Sequence, residues 1–526
     1  MTDIQALHNV LIDRQLGAYT GEIGGVSSFA SARDTLCVVG PPNAGKSTRV
    51  ILQSVVSFPG LVVCTSTRHE QGSIYPDIVE LSRKVRQSVA DATGGVVMDL
   101  ALDSAFETSS SAKTWSIVRG ADDWRKAEER AATIAHASIL NDRSIENPGF
   151  FRNQLKQLIG AMLFVCAKAG ETDDHLIERL RRTQAHPDSS GGLLSYLELG
   201  KSLGERYGQG HPACLALKNF SDDSRLDRKT RANCFAVLEA MIIPALHQAV
   251  STVNSGSFDL VDLFKGTSTL YIRARTSIAR TAAPLVAALV SSLVDEWRST
   301  SRTDRPHGML LALDEVANIA PIYSLPDIMS SGGGDGITTI LGIQDVRRIE
   351  HIWPGEGLGM VQGSPLLIMP GFGDGEFLNE ISSLTPLAAK SHAEVTVNLK
   401  DRNIDGRLPN RDELRTMAIE LDQHTMRSEP TLRRLREREA IVKLRSDLAG
   451  RGQKIGGHGS TAADFKTSLD SLAPVREAST LRHEIEAQEI NQMPVGTAFL
   501  RVGAHSGFCR VPGWWESRFW SALLQI

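Results

Sequence analysis

The sequence predicts an α/β protein with a mainly parallel central sheet, interrupted by an all-helical insertion. Three observations carry this. Short apolar, β-branched runs alternate with helical stretches at Thr35–Val39, Leu61–Cys64 and Val96–Leu100, and again at Thr269–Ile272, Met309–Leu313, Ile337–Ile343 and Leu366–Met369. Such runs are what parallel strands covered by helices on both faces require. Between the two series, from about Ala121 to Ala249, the pattern is almost wholly helical, with Leu155, Leu158, Ile159, Met162, Leu163 and Cys166 recurring at three and four. Immediately after the first run, residues 40–48 read GPPNAGKST and fit the phosphate-loop pattern GxxxxGK(S/T).

That loop defines the first candidate site. Gly40, Pro41, Pro42, Asn43, Ala44, Gly45, Lys46, Ser47 and Thr48 stand between a strand and a predicted helix over Thr48–Val56, the context the motif needs. Glycines let successive N–H groups turn inward as an anion nest at the positive end of a helix. Lys46 is expected to neutralise the β- and γ-phosphates of a nucleotide, and the Ser47 hydroxyl to take one Mg²⁺ position.

Taken in order, residues 1–30 read as a mixed polar lead-in with a helix over Ile4–Leu16, and residues 31–120 as the first part of the sheet domain. A helix from about Ile74 to Ala92 joins its second and third strands. Residues 121–249 form the helical insertion and residues 250–400 the second part of the sheet domain, with a helix over about Ala282–Trp297. There the run LLALDE ends in Asp314 and Glu315 at a strand's carboxyl end, beside the phosphate loop. Asp314 is expected to hold a water on Mg²⁺ and Glu315 to orient and deprotonate the attacking water. Gln344 ends the next buried strand, on the edge where ligands collect in parallel sheets, and is a candidate for sensing the γ-phosphate or positioning water. Arg347 and Arg348 follow as candidates for an arginine given to a neighbouring subunit's nucleotide.

Residues 401–487 differ. They are polar, helical and rich in Arg and Lys, with Leu432, Leu435, Leu444 and Leu448 on one face. A solvated amphipathic helix is one reading, and nucleic-acid or partner binding the other. Residues 488–526 supply a closing strand at Thr497–Val502 and an aromatic tail of Trp514, Trp515, Phe519, Trp520, Leu523 and Leu524, expected to dock on the protein's own core or on a subunit neighbour.

Composition narrows the class. With 526 residues, 41% hydrophobic and 22% charged, the chain has ample core for two or three units. Its net charge of −4 argues against wholesale coating of nucleic acid but leaves room for a locally basic channel. Six scattered cysteines in apolar runs, with no CxxC, point to buried reduced thiols rather than a zinc site. No signal segment opens the chain, and the longest apolar stretches, Leu158–Cys166 and Ala282–Val294, read as buried helices. The expected location is cytoplasmic.

Several motifs together resemble the type IV coupling proteins of conjugation, particularly actinobacterial forms. They are GPPNAGKST at 40, VVCTSTR at 62, TWS at 114, TLYI at 269, LDEVANIAPI at 313 and GGGDGITTILGIQD at 332. The resemblance implies a RecA-like P-loop NTPase core with an inserted all-helical domain. It also implies ATP and Mg²⁺ as ligands and homo-hexameric rings that hydrolyse ATP to deliver DNA, often bound to a relaxase, to a secretion channel. By motif position, Lys46 and Ser47 match the phosphate-loop pair, Asp314 and Glu315 the Mg²⁺ and catalytic acids, and Gln344 the γ-phosphate glutamine. Three departures stand out: the chain begins almost directly with the motor, which implies a separate membrane anchor protein or work away from the membrane. SSGGGDG carries no arginine where some relatives have an intersubunit one, and 401–487 has no match, so it reads as a cargo-binding insertion or a spacer. Two alternatives accompany the DNA-translocating reading: an ATP-gated cargo recruitment module without processive movement, and a DNA-packaging or mobilising motor outside conjugation.

Overall fold

Alternating side chains of the buried runs belong to two different cores, and this sets the architecture. In the computed structural model, which describes residues 2–67, 77–102, 112–139, 147–182, 193–251, 257–385, 387–391, 479–483 and 485–524, the strands are β1 (Leu16–Ile23), β2 (Val26–Ser31), β3 (Thr35–Val39), β4 (Leu61–Ser66), β5 (Val97–Ala101), β6 (Ala112–Lys113), β7 (Thr269–Arg273), β8 (Met309–Leu313), β9 (Ile337–Ile343), β10 (Leu366–Ile368), β11 (Leu387–Ser391), β12 (Ser479–His483), β13 (Thr497–Val502) and β14 (His505–Arg510). Cys37, Val39, Leu61, Val63, Leu311 and Leu313 face one core, and Leu36, Val38, Val62, Cys64, Leu310 and Ala312 the other. The period of two along each strand separates them.

Twelve strands form one sheet in the order β2-β1-β14-β13-β10-β3-β9-β8-β4-β7-β5-β6. From β10 to β6 every neighbouring pair is parallel, and β13, β14, β1 and β2 extend one flank antiparallel. One face is covered by α1 (Thr2–Asp13), by the helix after β3 with its continuation α2 (Leu52–Ser57), and by α3 (Ile78–Thr93). The other face packs the helical block inserted between β6 and β7, made of α4 (Trp124–Ile139), α5 (Pro148–Ala169), α6 (Asp173–Arg182), α7 (Leu193–Tyr207), α8 (Pro212–Ser221), α9 (Arg228–Val237) and α10 (Ile243–Ser251), together with α11 (Thr276–Ser299). Helix α11 is long and apolar enough to cross a membrane, but Ala282 through Val294 are buried in the protein's own core. The six cysteines are all buried, and burial pushes the Cys37 and Cys509 thiols up to about 12.

Two features differ from the sequence reading. The lead-in contributes the β1–β2 hairpin, and β14 follows the closing strand. Both carry Gly and Ser where buried parallel strands carry branched residues, so their pairing comes from the antiparallel flank rather than from a strong apolar pattern. The tail splits: Trp520 and Leu523 are buried, Trp520 standing edge-on to Tyr19 at 5.4 Å, while Trp515 and Phe519 are exposed. A second unit, Leu387–Arg482, is described here only as the ladder of β11 with β12. The basic helical reading of 401–487 therefore lies mainly outside the described residues.

One buried histidine gives the fold a pH signature. His136 on α4 is buried, its Nδ1 is 2.9 Å from Arg152 Nη1, and its ring meets Tyr323 edge-on at 5.2 Å. Burial and the Arg152 charge lower its pKa to about 3. The unfolded chain takes up a proton near 6.5 that the folded chain refuses until about 3, so stability is full above 6.5 and lost as pH falls. Between pH 6.5 and 5 the loss is roughly 2 kcal/mol, at about 1.4 kcal/mol per pH unit. Denaturant unfolding of His136→Gln at pH 7 and pH 5 is expected to show a pH-dependent loss smaller by that amount; an unchanged loss would contradict it.

Candidate functional site

The carboxyl ends of β3, β9 and β8 lie side by side, and the sequence's candidate residues follow directly from them. Pairing of Val39 with Ile343 and of Leu313 with Leu341 sets Gln344 between the phosphate loop and the Asp314–Glu315 pair. Gly40 N–H donates to Ile343 O at 3.0 Å, fastening the loop's start to β9. Gly40 itself is required by close approach, because a Cβ there would lie 2.6 Å from Met369 Cβ.

Within the loop, Asn43 and Gly45 take left-handed φ values of 64° and 91°, the sharp curl the glycine-rich pattern predicts. Lys46 is buried, and its Nζ donates to Gly40 O at 2.7 Å and Pro41 O at 2.9 Å. The ammonium is thus held against the loop's own carbonyls. After it, Ser47–Ile51 forms a π-helical turn rather than the plain α-helix expected over Thr48–Val56, and α2 continues from Leu52.

Ser47 Oγ donates to Asp314 Oδ2, joining the loop to the end of β8 across the intervening strand β9. The crossing is possible because β9 carries Gly342 at that point: a Cβ there would lie 2.5 Å from Asp314 Oδ1. Thr65 at the end of β4 donates to the Asp314 carbonyl at 3.1 Å, and Glu315 N–H donates to Asp314 Oδ1 at 3.1 Å. Glu315 has φ 52° and ψ 44°, a left-handed conformation that a side-chain-bearing residue adopts at a cost of order 1 kcal/mol. The turn aims its carboxylate at the sheet edge, where Oε1 accepts from Gln344 Nε2 at 2.6 Å and Oε2 from Asn318 Nδ2 at 3.3 Å.

Lys46, Ser47, Asp314, Glu315 and Gln344 are therefore brought to one edge, Ser47 touching Asp314 and Glu315 touching Gln344. The two arginines behave differently. Arg347 is exposed and engaged within its own chain by Asp374 and Glu376. Arg348 is partly buried, and burial together with Arg280 lowers its pKa. Sequence reasoning missed Asn318 and Thr65. Asn318 stands three residues after Glu315, the spacing that brings side chains together on one helical turn, and Thr65 lies in a motif already singled out for its strand.

Residues 8–361 match the family described as type IV secretory system conjugative DNA transfer, and residues 308–417 the one described as the TraM recognition site of TraD and TraG. No curated protein matches the chain. Among solved structures it is similar to the bacterial conjugative coupling protein TrwBdeltaN70 in its unbound monoclinic form, with TM-score 0.57 and 14% identity over 96% of this chain and 91% of that one. It is also similar to the plasmid coupling protein TrwB in complex with the non-hydrolysable ATP analogue ADPNP, and to TrwB in complex with ADP and Mg²⁺. Each of these two has TM-score 0.53 and 14% identity over 97% of this chain and 92% of that one. Identity this low carries the fold alone: a RecA-like P-loop fold with a helical domain. The family match, spanning well over half of the 526 residues, carries more, and by it the chain belongs to the type IV secretory system conjugative DNA transfer family, the coupling proteins of conjugation.

Proposed function

We propose that this coupling protein binds ATP with Mg²⁺ at the phosphate loop and hydrolyses it to move DNA, or a relaxase–DNA cargo, towards a secretion channel. The observation that carries this reading is the contact of Ser47 with Asp314 beside that of Gln344 with Glu315, all on the edge that holds the loop. A hydroxyl and a carboxylate in contact are hard oxygen donors of the kind Mg²⁺ takes, and the left-handed turns at Asn43 and Gly45 suit an anion nest. Mg²⁺, when bound, would neutralise charge developing on the transferred phosphoryl. Lys46 would leave the Gly40 and Pro41 carbonyls for the β- and γ-phosphates, Ser47 and Asp314 would hold the metal, and Asp314 would do so through water. Gly40–Thr48 would enclose the phosphates. Glu315 would accept the proton of the attacking water, with Gln344 fixing the carboxylate and reporting the γ-phosphate, and Asn318 holding its second oxygen.

DNA is the proposed substrate of movement, and a homo-hexamer the proposed active form, on the strength of the family. A protein partner is supported by the match over 308–417, which begins at β8 and runs beyond the described residues. We place the chain on the cytoplasmic side, at the inner face of the membrane, because ATP and the DNA to be transferred are both there. The domain division follows the same reading: a motor core in two parts, 31–120 and 250–400, around the helical insertion.

Steady-state hydrolysis with and without single- and double-stranded DNA, with Glu315→Gln as control, tests the proposal. Stimulation by DNA that vanishes in the variant is expected. Hydrolysis indifferent to DNA would shift the function to ATP-gated cargo recruitment, and DNA stimulation that added relaxase and membrane partner leave unchanged would shift it to a packaging motor. A second check uses Gly342→Ala, whose methyl must displace the Asp314 carboxylate. The Mg²⁺ concentration for half-maximal hydrolysis is expected to rise about tenfold, as for loss of one well-placed ligand contact. An unchanged Mg²⁺ dependence would remove Asp314 from the metal site.

A further inference from the structure

The helix after the phosphate loop carries an attachment that the hydrolysis chemistry does not use. Arg49 lies in the π-helical turn, is 6% exposed, and passes its methylenes under Gly45, whose Cβ, if present, would lie 2.7 Å from Arg49 Cδ. Its guanidinium then leaves the loop for the C-terminal segment Val511–Glu516. Nη1 donates to Val511 O at 2.9 Å and to Glu516 Oε2 at 2.8 Å, and Nη2 donates to Glu516 Oε1 at 3.0 Å. Trp515 stacks on the same group at 5.2 Å. Gly513 N–H donates to Glu516 Oε2 at 3.0 Å, and the Gln53 amide spans Thr48 O at 3.1 Å and Pro512 O at 3.4 Å.

A bidentate arginine–carboxylate fork fixes orientation as well as distance. Here it ties the turn directly after Lys46 and Ser47 to a segment more than 460 residues away in sequence. That segment lies beyond both family matches, which end at residues 361 and 417. The fork also holds the Glu516 carboxyl below the usual carboxylate range. Left-handed backbone at Asn43 persists only where the surroundings over-determine it, and the Arg49 side chain occupies the space a Cβ at Gly45 would need.

We propose that Val511–Glu516 is a strap on the phosphate loop, with Arg49 and Glu516 as positioning residues that hold the loop in the curvature a nucleotide's phosphates require. The proposal rests on the nucleotide-site reading above. A loop held ready spares the ordering cost of binding, so the strap sets affinity rather than the chemical step.

The test uses the full chain with Glu516→Ala, Glu516→Gln and Trp515→Phe. Amide hydrogen exchange of the nucleotide-free protein reads the strap without any ligand. Exchange over residues 43–51 is expected to quicken about fivefold or more in Glu516→Ala and less in Glu516→Gln, with α3 unaffected. Titration with a fluorescent ADP analogue and Mg²⁺ is expected to show about tenfold weaker binding in Glu516→Ala, partly restored in Glu516→Gln, with KM raised and kcat within about threefold. ADP is expected to change tryptophan emission in the wild type, and less so in Trp515→Phe. Unaltered exchange over 43–51 overturns the strap, and quickened exchange with wild-type affinity overturns its positioning role. A wild-type protein that binds no ADP overturns the nucleotide-site reading and this proposal with it.

Discussion

Glu315→Gln is expected to slow steady-state ATP hydrolysis by about 10²- to 10⁴-fold, the usual contribution of a positioned general base. ADP·Mg²⁺ affinity is expected to stay within about threefold, because a base acts on the transition state and adds little to ground-state binding. The substitution preserves shape. The new side-chain oxygen can still accept from Gln344 Nε2, and Asn318 can turn its amide to present its oxygen to the new NH₂. What is removed is proton-accepting capacity. The backbone at 315 remains left-handed, so stability is expected to change little. Asp314 is the alternative base, but its carboxylate already receives the Ser47 hydroxyl and the Glu315 N–H and faces the loop. Hydrolysis in Glu315→Gln within tenfold of the wild type, measured at saturating ATP and Mg²⁺, would sink the assignment of Glu315 as base.

The site was legible in the sequence to the extent that its chemistry is local. The phosphate loop announces itself because each fixed position answers to a backbone or ligand demand within nine residues, and LLALDE does so because a buried strand must end before a carboxylate can meet solvent. The sheet's parallel half was legible for the same reason: strands covered on both faces have no polar alternation to blur them. Long-range geometry was not. That Gly342 must lack a side chain follows only once β9 lies between β3 and β8, an order that adjacency in sequence does not give. Nothing around Arg49 in the sequence points to its role, because its partner Glu516 lies at the far end of the chain. The β1–β2 hairpin and β14 were missed because edge and flank strands draw stability from pairing rather than from their own composition.

Arg86→Met is expected to destabilise the fold by roughly 3–5 kcal/mol. Arg86 sits on α3 with no exposed surface and is surrounded by acceptors: Nε donates to Thr269 Oγ1 at 2.7 Å, Nη1 to Phe58 O at 2.6 Å, and Nη2 to Gly60 O at 2.9 Å and Ser268 O at 3.0 Å. Among the described residues no carboxylate pairs with it, and burial lowers its pKa to about 10, so it stays charged at neutral pH. The guanidinium therefore works as a bracket joining the amino ends of β4 and β7, where Phe58, Gly60 and Ser268 have carbonyls turned away from water. Met fills most of the volume and removes the cost of burying a charge, but strands the Phe58 and Gly60 carbonyls, while Ser268 O keeps the Val62 N–H. Because removing one partner of a buried set costs more than replacing the whole set, the net sign is destabilising. Lysine is no substitute, since one ammonium cannot span three carbonyls and a hydroxyl. Chemical denaturation of Arg86→Met and Arg86→Lys measures the loss. A change below about 1 kcal/mol would mean that the carbonyls find other donors. The consequence reaches the site, because the strand whose amino end Arg86 secures is the one whose carboxyl end, at Thr65, holds the Asp314 backbone. A loosened β4 is thus expected to raise the Mg²⁺ requirement of hydrolysis along with the loss of stability.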